Sequence, residues 1–210
     1  MILKRRTLCT QRFSVLTPAL FLDRDGVIIE DLHYIKDPEQ VRLCDGTQDL
    51  IVDARATGYA VVVVTNQSGI ARGLLTWQQV ENVNRRMLEL LGHEAQPSAL
   101  YCNGYGPDAS ATSWRKPSPA MLLDAAQQLN LDVKRSVMIG DRLSDIKAGV
   151  TAGVATVAHV LSGHGRKERS AVQEWHHRQK AIAGEDHSRL LLFDDLRGVV
   201  MHQLIDENRR

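Results

Sequence analysis

Two aspartates, Asp23 and Asp25, stand two positions apart in "FLDRDG", directly behind the apolar run "ALFL". In an extended chain neighbouring side chains point apart and positions two apart return to one side, so both carboxylates can face one ligand. Like charges that close repel, and a bound cation offsets the repulsion. A carboxylate can serve as a nucleophile, and one beside it can give and take a proton. Three more polar stretches follow apolar runs: "TNQSGIARG" at 65–73, "RKPSP" at 115–119 and "GDRLSD" at 140–145. Alone, each reads as something ordinary: a solvated turn, a Thr-Asn turn, a basic turn, a helix entry. Their joint occurrence, in chain order and each beyond a strand, is the signal.

The elements that must position these residues alternate. "ALFL" (19–22), "YAVVVV" (59–64), "SALYC" (98–102), "SVMIG" (136–140), "VATVAHV" (154–160) and "RLLLF" (189–193) read as strands. The second has no polar alternation, as expected of a strand buried on both faces of a parallel sheet. Between them lie helical patterns. "TQDLIVDARATG" places Leu50, Ile51 and Ala54 on one face and stops at Gly58, and Thr76 with Gln79 forms a capping box ahead of Val80, Val83, Met87 and Leu90. Ser118-Pro119 opens a further helix, and another runs to Gly153. The alternation predicts an α/β fold with a doubly wound, mostly parallel, Rossmann-like sheet. Ligands gather beyond the carboxyl ends of strands in such sheets, where the four polar stretches fall. We expect a lead over 1–18 and a single domain over 19–210, with 162–188 a polar insertion or mobile connection whose His176 and His177 face solvent.

Composition narrows the partners. Lys plus Arg exceed Asp plus Glu by only 26 to 25, so no global basic field suggests nucleic acid. No run approaches the roughly 18 apolar residues of a membrane span. The lead "MILKRRTLCTQRFSVLTP" lacks the apolar stretch of a signal peptide. The cysteines Cys9, Cys44 and Cys102 are scattered, with no CxxC pair, which indicates neither a disulfide framework nor a zinc ribbon. A cytoplasmic monomer acting on a small molecule is the expectation.

"FLDRDG", "VVVTNQSGIARG", "RKPSPAMLLDAA" and "GDRLSD" together resemble the four motifs of the haloacid dehalogenase-like phosphohydrolases. Over about residues 19–160 the similarity is closest to the branch of heptose-bisphosphate phosphatases and their histidinol-phosphatase relatives. The resemblance implies phosphomonoester hydrolysis through an aspartyl-phosphate. Asp23 would be the nucleophile, and Asp25 would protonate the leaving oxygen and then activate water. Thr65 would hydrogen-bond a phosphoryl oxygen, and Lys116 would neutralise the phosphate and steady Asp23. The implied Mg²⁺ ligands are Asp23, the backbone carbonyl of Asp25 and Asp141, with Asp145 one helical turn on as a supporting carboxylate. The sugar or a second phosphate would meet Asp31, Leu32, His33 and Tyr34 of a flap, with Asn66, Gln67, Ser68, Arg115 and Arg142. Arg115 is the best placed for a distal phosphate, because a guanidinium binds one through two hydrogen bonds. The segments after the first and third strands are too short for a full cap domain, so loops should cover an open site.

Two departures from the branch stand out. Relatives carry a zinc loop with a C-x-H pair and a C-x-C pair before RKP, whereas "YCNGYGPDASATSWRKP" retains only Cys102. One thiolate does not make a tetrahedral site, so no zinc is expected there and Cys102 should be a buried strand end. Arg142 stands where close relatives often have lysine, and the two side chains are not interchangeable. The implied reaction removes the 7-phosphate of D-glycero-D-manno-heptose 1,7-bisphosphate. The alternatives are histidinol phosphate or another small sugar phosphate as substrate, a sugar-phosphate-binding relative with weak catalysis, and a phospho-receiver domain.

Overall fold

The computed structural model describes residues 4–9, 12–183 and 187–205. Seven strands form one sheet: β1 (Lys4–Cys9), β2 (Thr17–Leu22), β3 (Ala60–Asn66), β4 (Ala99–Asn103), β5 (Leu131–Gly140), β6 (Thr156–His159) and β7 (Arg189–Leu192). Their order is β1-β4-β3-β2-β5-β6-β7. All neighbours are parallel except β1, which pairs antiparallel with β4 at the edge. The chain winds from β2 through β3 to β4, then crosses to β5 on the other side of β2. The end of β2 is therefore the switch point of the sheet, where loops diverge and leave a crevice.

Six helices cover the sheet: α1 (Thr47–Ala56), α2 (Trp77–Leu91), α3 (Ala120–Leu129), α4 (Leu143–Ala152), α5 (Gly165–Ala183) and α6 (Met201–Leu204). Alternate residues of each central strand go to opposite faces. Leu20 and Leu22 of β2 and Val61 and Val63 of β3 pack with residues of α1, α2 and α6. Ala19, Phe21, Val62 and Val64 pack with α3, α4 and Val172 of α5. Central strands buried on both faces have no polar positions to spare, so polar side chains begin only where the strands stop. The expected capping box at Thr76 is formed, with Gln79 N bonded to Thr76 Oγ1 and Thr76 N to Gln79 Oε1.

Two segments differ from the sequence reading. Part of the lead over 1–18 is the edge strand β1, and the next strand begins at Thr17 rather than Ala19. An edge strand needs no continuous apolar run, because its outer side faces no other strand. The stretch 162–188 is not a loop insertion: its largest part is α5, the crossover between β6 and β7. One narrow stripe holds it to the sheet, with Val172 fully buried and Trp175 packed against the same cluster. His176 is buried rather than solvent-facing, its Nε2 2.7 Å from the Ser188 carbonyl, while His177 is exposed. Among the described residues, no helix is long and apolar enough to cross a membrane.

Candidate active site

The floor of the site lies just past the ends of β2 and β5. Asp23 follows β2, and Asp141 follows β5 with Asp145 in the first turn of α4. All three are buried, and their carboxylate oxygens lie within 4.8 Å of one another. Lys116 enters from the β4–α3 loop, where the Lys116–Pro117 bond is cis. Its Nζ is 3.0 Å from Asp23 Oδ1 and 2.7 Å from Asp145 Oδ1, and donates to the Val64 carbonyl at 2.7 Å. Burial opposes the ammonium, but Asp145 and Asp23 outweigh it and hold the Lys116 pKa above its ordinary value.

Three carboxylates against one lysine leave the floor over-negative. Burial pushes Asp23 up to about 7, with Lys116 pulling down and Asp145 and Asp25 pushing further up. Burial with Asp145 and Asp23 raises Asp141 to about 8 against the pull of the His164 N–H and Arg142. Asp141 Oδ2 accepts from His164 N at 2.7 Å, whereas Oδ1 is buried with no hydrogen-bond partner among the described residues. A buried orphan oxygen is costly. An all-oxygen donor set with excess negative charge suits a hard dication, and the residues present therefore fit Mg²⁺. The backbone around Asp141 leaves it just enough room. A side chain at Gly26 (φ 81°) or Gly163 (φ 53°) would put a Cβ 2.6 Å or 2.3 Å from Asp141 Oδ2. Behind it, His159 Nε2 lies 3.0 Å from the Asp141 carbonyl, and Arg169 Nε donates to His159 Nδ1 at 3.0 Å.

Asp25 is gripped separately. The Arg24 guanidinium, 1% exposed, binds its two oxygens at 2.9 and 3.0 Å and is itself fixed by Asn84 Oδ1 at 2.7 Å. Gln67 Nε2 donates to Asp25 Oδ2 at 2.9 Å, and Thr65 Oγ1 lies 3.4 Å from the same oxygen.

Above the floor opens a cavity of about 610 Å³. Its wall includes Arg72, Arg115 and Arg142 from three different loops. Burial lowers the Arg115 pKa, and the Arg72 and Arg142 charges lower it further. The flap joins this wall: Asp31 lies 3.6 Å from Arg142 and 3.0 Å from His164, and Tyr34 Oη accepts from Arg72 at 3.0 Å.

A family profile described as HAD-hydrolase-like matches residues 113–185. A D-glycero-beta-D-manno-heptose-1,7-bisphosphate 7-phosphatase of Mesorhizobium japonicum is 46% identical over 145 residues, 66% of this chain and 67% of the relative. The protein of that name from Escherichia coli K12 is 39% identical over 153 residues, 70% of this chain and 80% of the relative. The chain belongs to the HAD-like heptose-bisphosphate phosphatase family. Solved structures agree. A HAD-like phosphatase from Mesorhizobium loti, 40% identical, superposes with a TM-score of 0.69 over 75% of this chain and 79% of the other. The D,D-heptose 1,7-bisphosphate phosphatase of B. bronchiseptica, complexed with magnesium and phosphate, gives 0.69 at 26% identity over 89% and 97%.

Within this HAD-like phosphatase, the expected residues do not all stand in the same relation to the cavity. Asp23, Asp25, Asp31, His33, Tyr34, Asn66, Gln67, Ser68, Arg115, Lys116, Arg142 and Asp145 line it. Thr65 and Asp141 are fully buried beneath its surface. Leu32 is not among the residues that line it and is 46% exposed. Asn66 is tied to the backbone of Lys116, through its amide group to Lys116 O at 3.1 Å and from Lys116 N at 3.2 Å, so it braces the lysine loop. Cys102 is a buried strand end whose Sγ accepts from Asn84 at 3.5 Å.

Four participants escaped the sequence reading. Arg72 lies inside the quoted "TNQSGIARG" and could have been singled out as its one cation. Arg24 lies inside "DRDG", but its burial depends on Asn84, sixty positions away. His164 and Glu168 sit in the stretch taken for an insertion; Glu168 Oε2 accepts from Leu143 N at 2.7 Å, at the start of α4.

Proposed function

We propose that this chain is a Mg²⁺-dependent phosphomonoesterase that removes the 7-phosphate of D-glycero-D-manno-heptose 1,7-bisphosphate. Both described contacts of Asp23, from Arg24 N at 2.7 Å and Lys116 Nζ at 3.0 Å, fall on Oδ1. Oδ2 is then the oxygen that attacks phosphorus in line, breaking the bond to the sugar oxygen and forming an aspartyl-phosphate. Asp25 gives its proton to the leaving oxygen, then takes one from the water that cleaves the acyl phosphate and restores Asp23. Lys116 balances charge on the transferring phosphoryl group, with Thr65 as a further donor. Asp23, the Asp25 carbonyl and Asp141 would hold the Mg²⁺, with Asp145 bound to Lys116 in support. When bound, the ion supplies positive charge to the phosphoryl oxygens as negative charge develops there.

The observation that carries the substrate is the presence of two cationic features in one cavity. Lys116 lies at the floor, and Arg72, Arg115 and Arg142 stand in the wall above. A sugar with one phosphate at each end satisfies both. Histidinol phosphate would instead bring a cationic amine towards three guanidinium groups.

The test is Mg²⁺-dependent phosphate release from both anomers of heptose 1,7-bisphosphate, fructose 1,6-bisphosphate and histidinol phosphate, with Asp23→Asn as control. A marked preference for one heptose anomer, lost in the control, is the expected result. Feeble turnover of every compound would remove the heptose assignment, and none at all would leave a sugar-phosphate-binding protein.

A further inference from the structure

The flap and the β6–α5 loop bring together a second group of metal-ligating side chains, chemically unlike the floor. Asp31, His33 and His164 offer one carboxylate and two imidazoles, with ligand atoms all within 4.8 Å of one another. We propose that this group is a binding site for a transition-metal dication of the Zn²⁺ type at the mouth of the cavity, through which such an ion inhibits the enzyme.

Geometry is the first argument. Neighbouring ligand atoms around a tetrahedral Zn²⁺ lie about 3.3 Å apart, given bonds near 2.0–2.1 Å. His164 Nε2 is 3.0 Å from Asp31 Oδ2, and His33 Nδ1 is 3.6 Å from Asp31 Oδ1. The two imidazole rings are stacked at 5.5 Å with 20° between their planes, so one must swing out of the stack for both in-plane lone pairs to reach one ion, and the His33 side chain, 76% exposed, has the room to do so.

The backbone holds the set open. His33 and Tyr34 both have positive φ, 49° and 51°. That conformation costs non-glycine residues on the order of 1–3 kcal/mol each, and such strain concentrates at ligand clamps. His33 N bonds Asp31 Oδ1 at 3.0 Å, and His164 N bonds Asp141 Oδ2 at 2.7 Å, so each ring is carried by an anchored peptide. Arg142, 3.6 Å from Asp31, is the one nearby cation that must move, and its side chain is 41% exposed and free to do so.

Donor type sorts the ions. Imidazole favours Zn²⁺, Ni²⁺ or Cu²⁺, whereas oxygen-only sets suit Mg²⁺. The floor would keep Mg²⁺ while the mouth takes Zn²⁺, as an inhibitor and not a cofactor. Metal binding stands on these distances alone. The inhibitory consequence rests on the proposed reaction, because Asp31 and His33 also line the substrate cavity.

The experiment is calorimetric titration of Zn²⁺ into the full chain at saturating Mg²⁺, alongside His33→Ala and His164→Ala. Changes to outer partners alone cost roughly 10–100-fold in metal affinity. Loss of a ligand should cost at least as much, so both variants should bind Zn²⁺ at least tenfold more weakly. Co²⁺ should give the intense visible absorption of a tetrahedral site in the parent and lose it in both variants. Undiminished binding in both variants, or none in the parent with Mg²⁺ present, overturns the site. In a parallel phosphate-release assay, Zn²⁺ should raise KM for the sugar bisphosphate more than it lowers kcat, and each variant should need at least tenfold more Zn²⁺ for the same effect. Inhibition that excess Mg²⁺ relieves and the variants do not weaken would place the ion on the floor instead. Intact Zn²⁺ binding in a chain that releases no phosphate would keep the site and reject only the proposed reaction.

Discussion

The floor and the wall of the cavity are built on opposite plans. Asp23, Asp141, Asp145 and Lys116 are 6% exposed or less; the aspartates stand just past strand ends or in the first turn of a helix, and Lys116 reaches in from the β4–α3 loop. Arg72, Arg142, His33 and Tyr34 rise from loops and are more exposed; Arg142 lies 3.6 Å from Asp31, and Arg72 donates to Tyr34 Oη at 3.0 Å. The floor concentrates negative charge that a dication must balance, and the wall concentrates positive charge that an anion must balance. The difference separates two tasks. A floor that fixes its atoms can perform one reaction on any phosphate presented to it, and a wall that yields can choose which phosphate is presented.

The largest effect should come from Asp23→Asn. Removing a nucleophile from a unit that acts together should cost roughly 10⁴-fold or more in kcat. That loss should be equal for every phosphate ester tried, in a steady-state phosphate-release assay. A loss confined to the heptose bisphosphate would erase the division between floor and wall.

Next comes Arg24→Met. Arg24 touches no substrate in this reading; it positions Asp25. General acid catalysis is worth roughly 10²–10⁴-fold, and it matters least when the leaving group needs no proton. The variant should therefore lose about 10²-fold on an alkyl phosphate and much less on p-nitrophenyl phosphate. Equal losses on both would make Arg24 merely structural.

Wall substitutions should be gentler and selective. Arg72→Ala and Arg115→Ala each remove a charge-assisted contact worth about 1.5–3 kcal/mol, which predicts a KM roughly 10-fold or more higher for a bisphosphate. Turnover of a monophosphate should be nearly unchanged. The last effect is read in stability and not in turnover. Mg²⁺ at about 100 times its Kd adds roughly 2.7 kcal/mol by mass action. Thermal melts should show that gain in the parent, its reversal by EDTA, and its loss in Asp141→Asn. A gain that survives in Asp141→Asn would place the ion elsewhere.

Asp23 and Asp141 were readable because each follows an unbroken apolar run, and buried parallel strands leave polar side chains nowhere else to go; Lys116 and Asp145 were readable through the motifs around them. Asp23, Lys116 and Asp141 are local events in the chain. Arg24 was not readable as a buried cation: Asp25 balances its charge, but the hydrogen bond that completes its burial comes from Asn84 of α2, sixty positions away. The crossover α5 hid for a related reason. Val172, Trp175 and His176 make a stripe too narrow to stand out among nineteen residues that are otherwise mostly polar. Strand β1 carries "KRRTLC", a sequence with no apolar alternation, and declares itself only through its backbone pairing. The wall was legible as a list of polar residues and not as a shape. Leu32 lies within the flap sequence yet does not line the cavity, whereas Arg72, at the end of the 65–73 turn, does.

That antiparallel strand has a further meaning. Lys4 to Cys9 cover the backbone edge of Ala99 to Asn103, with an irregularity between Arg6 and Leu8 that interrupts the ladder. Bare strand edges invite pairing with other chains, and kinks and basic residues discourage it. Proteolytic trimming of the first ten residues would leave the catalytic crevice at the far side of β3 untouched while making the molecule adhesive to its own copies. Protection from self-association would then belong to the edge of the sheet and turnover to its centre.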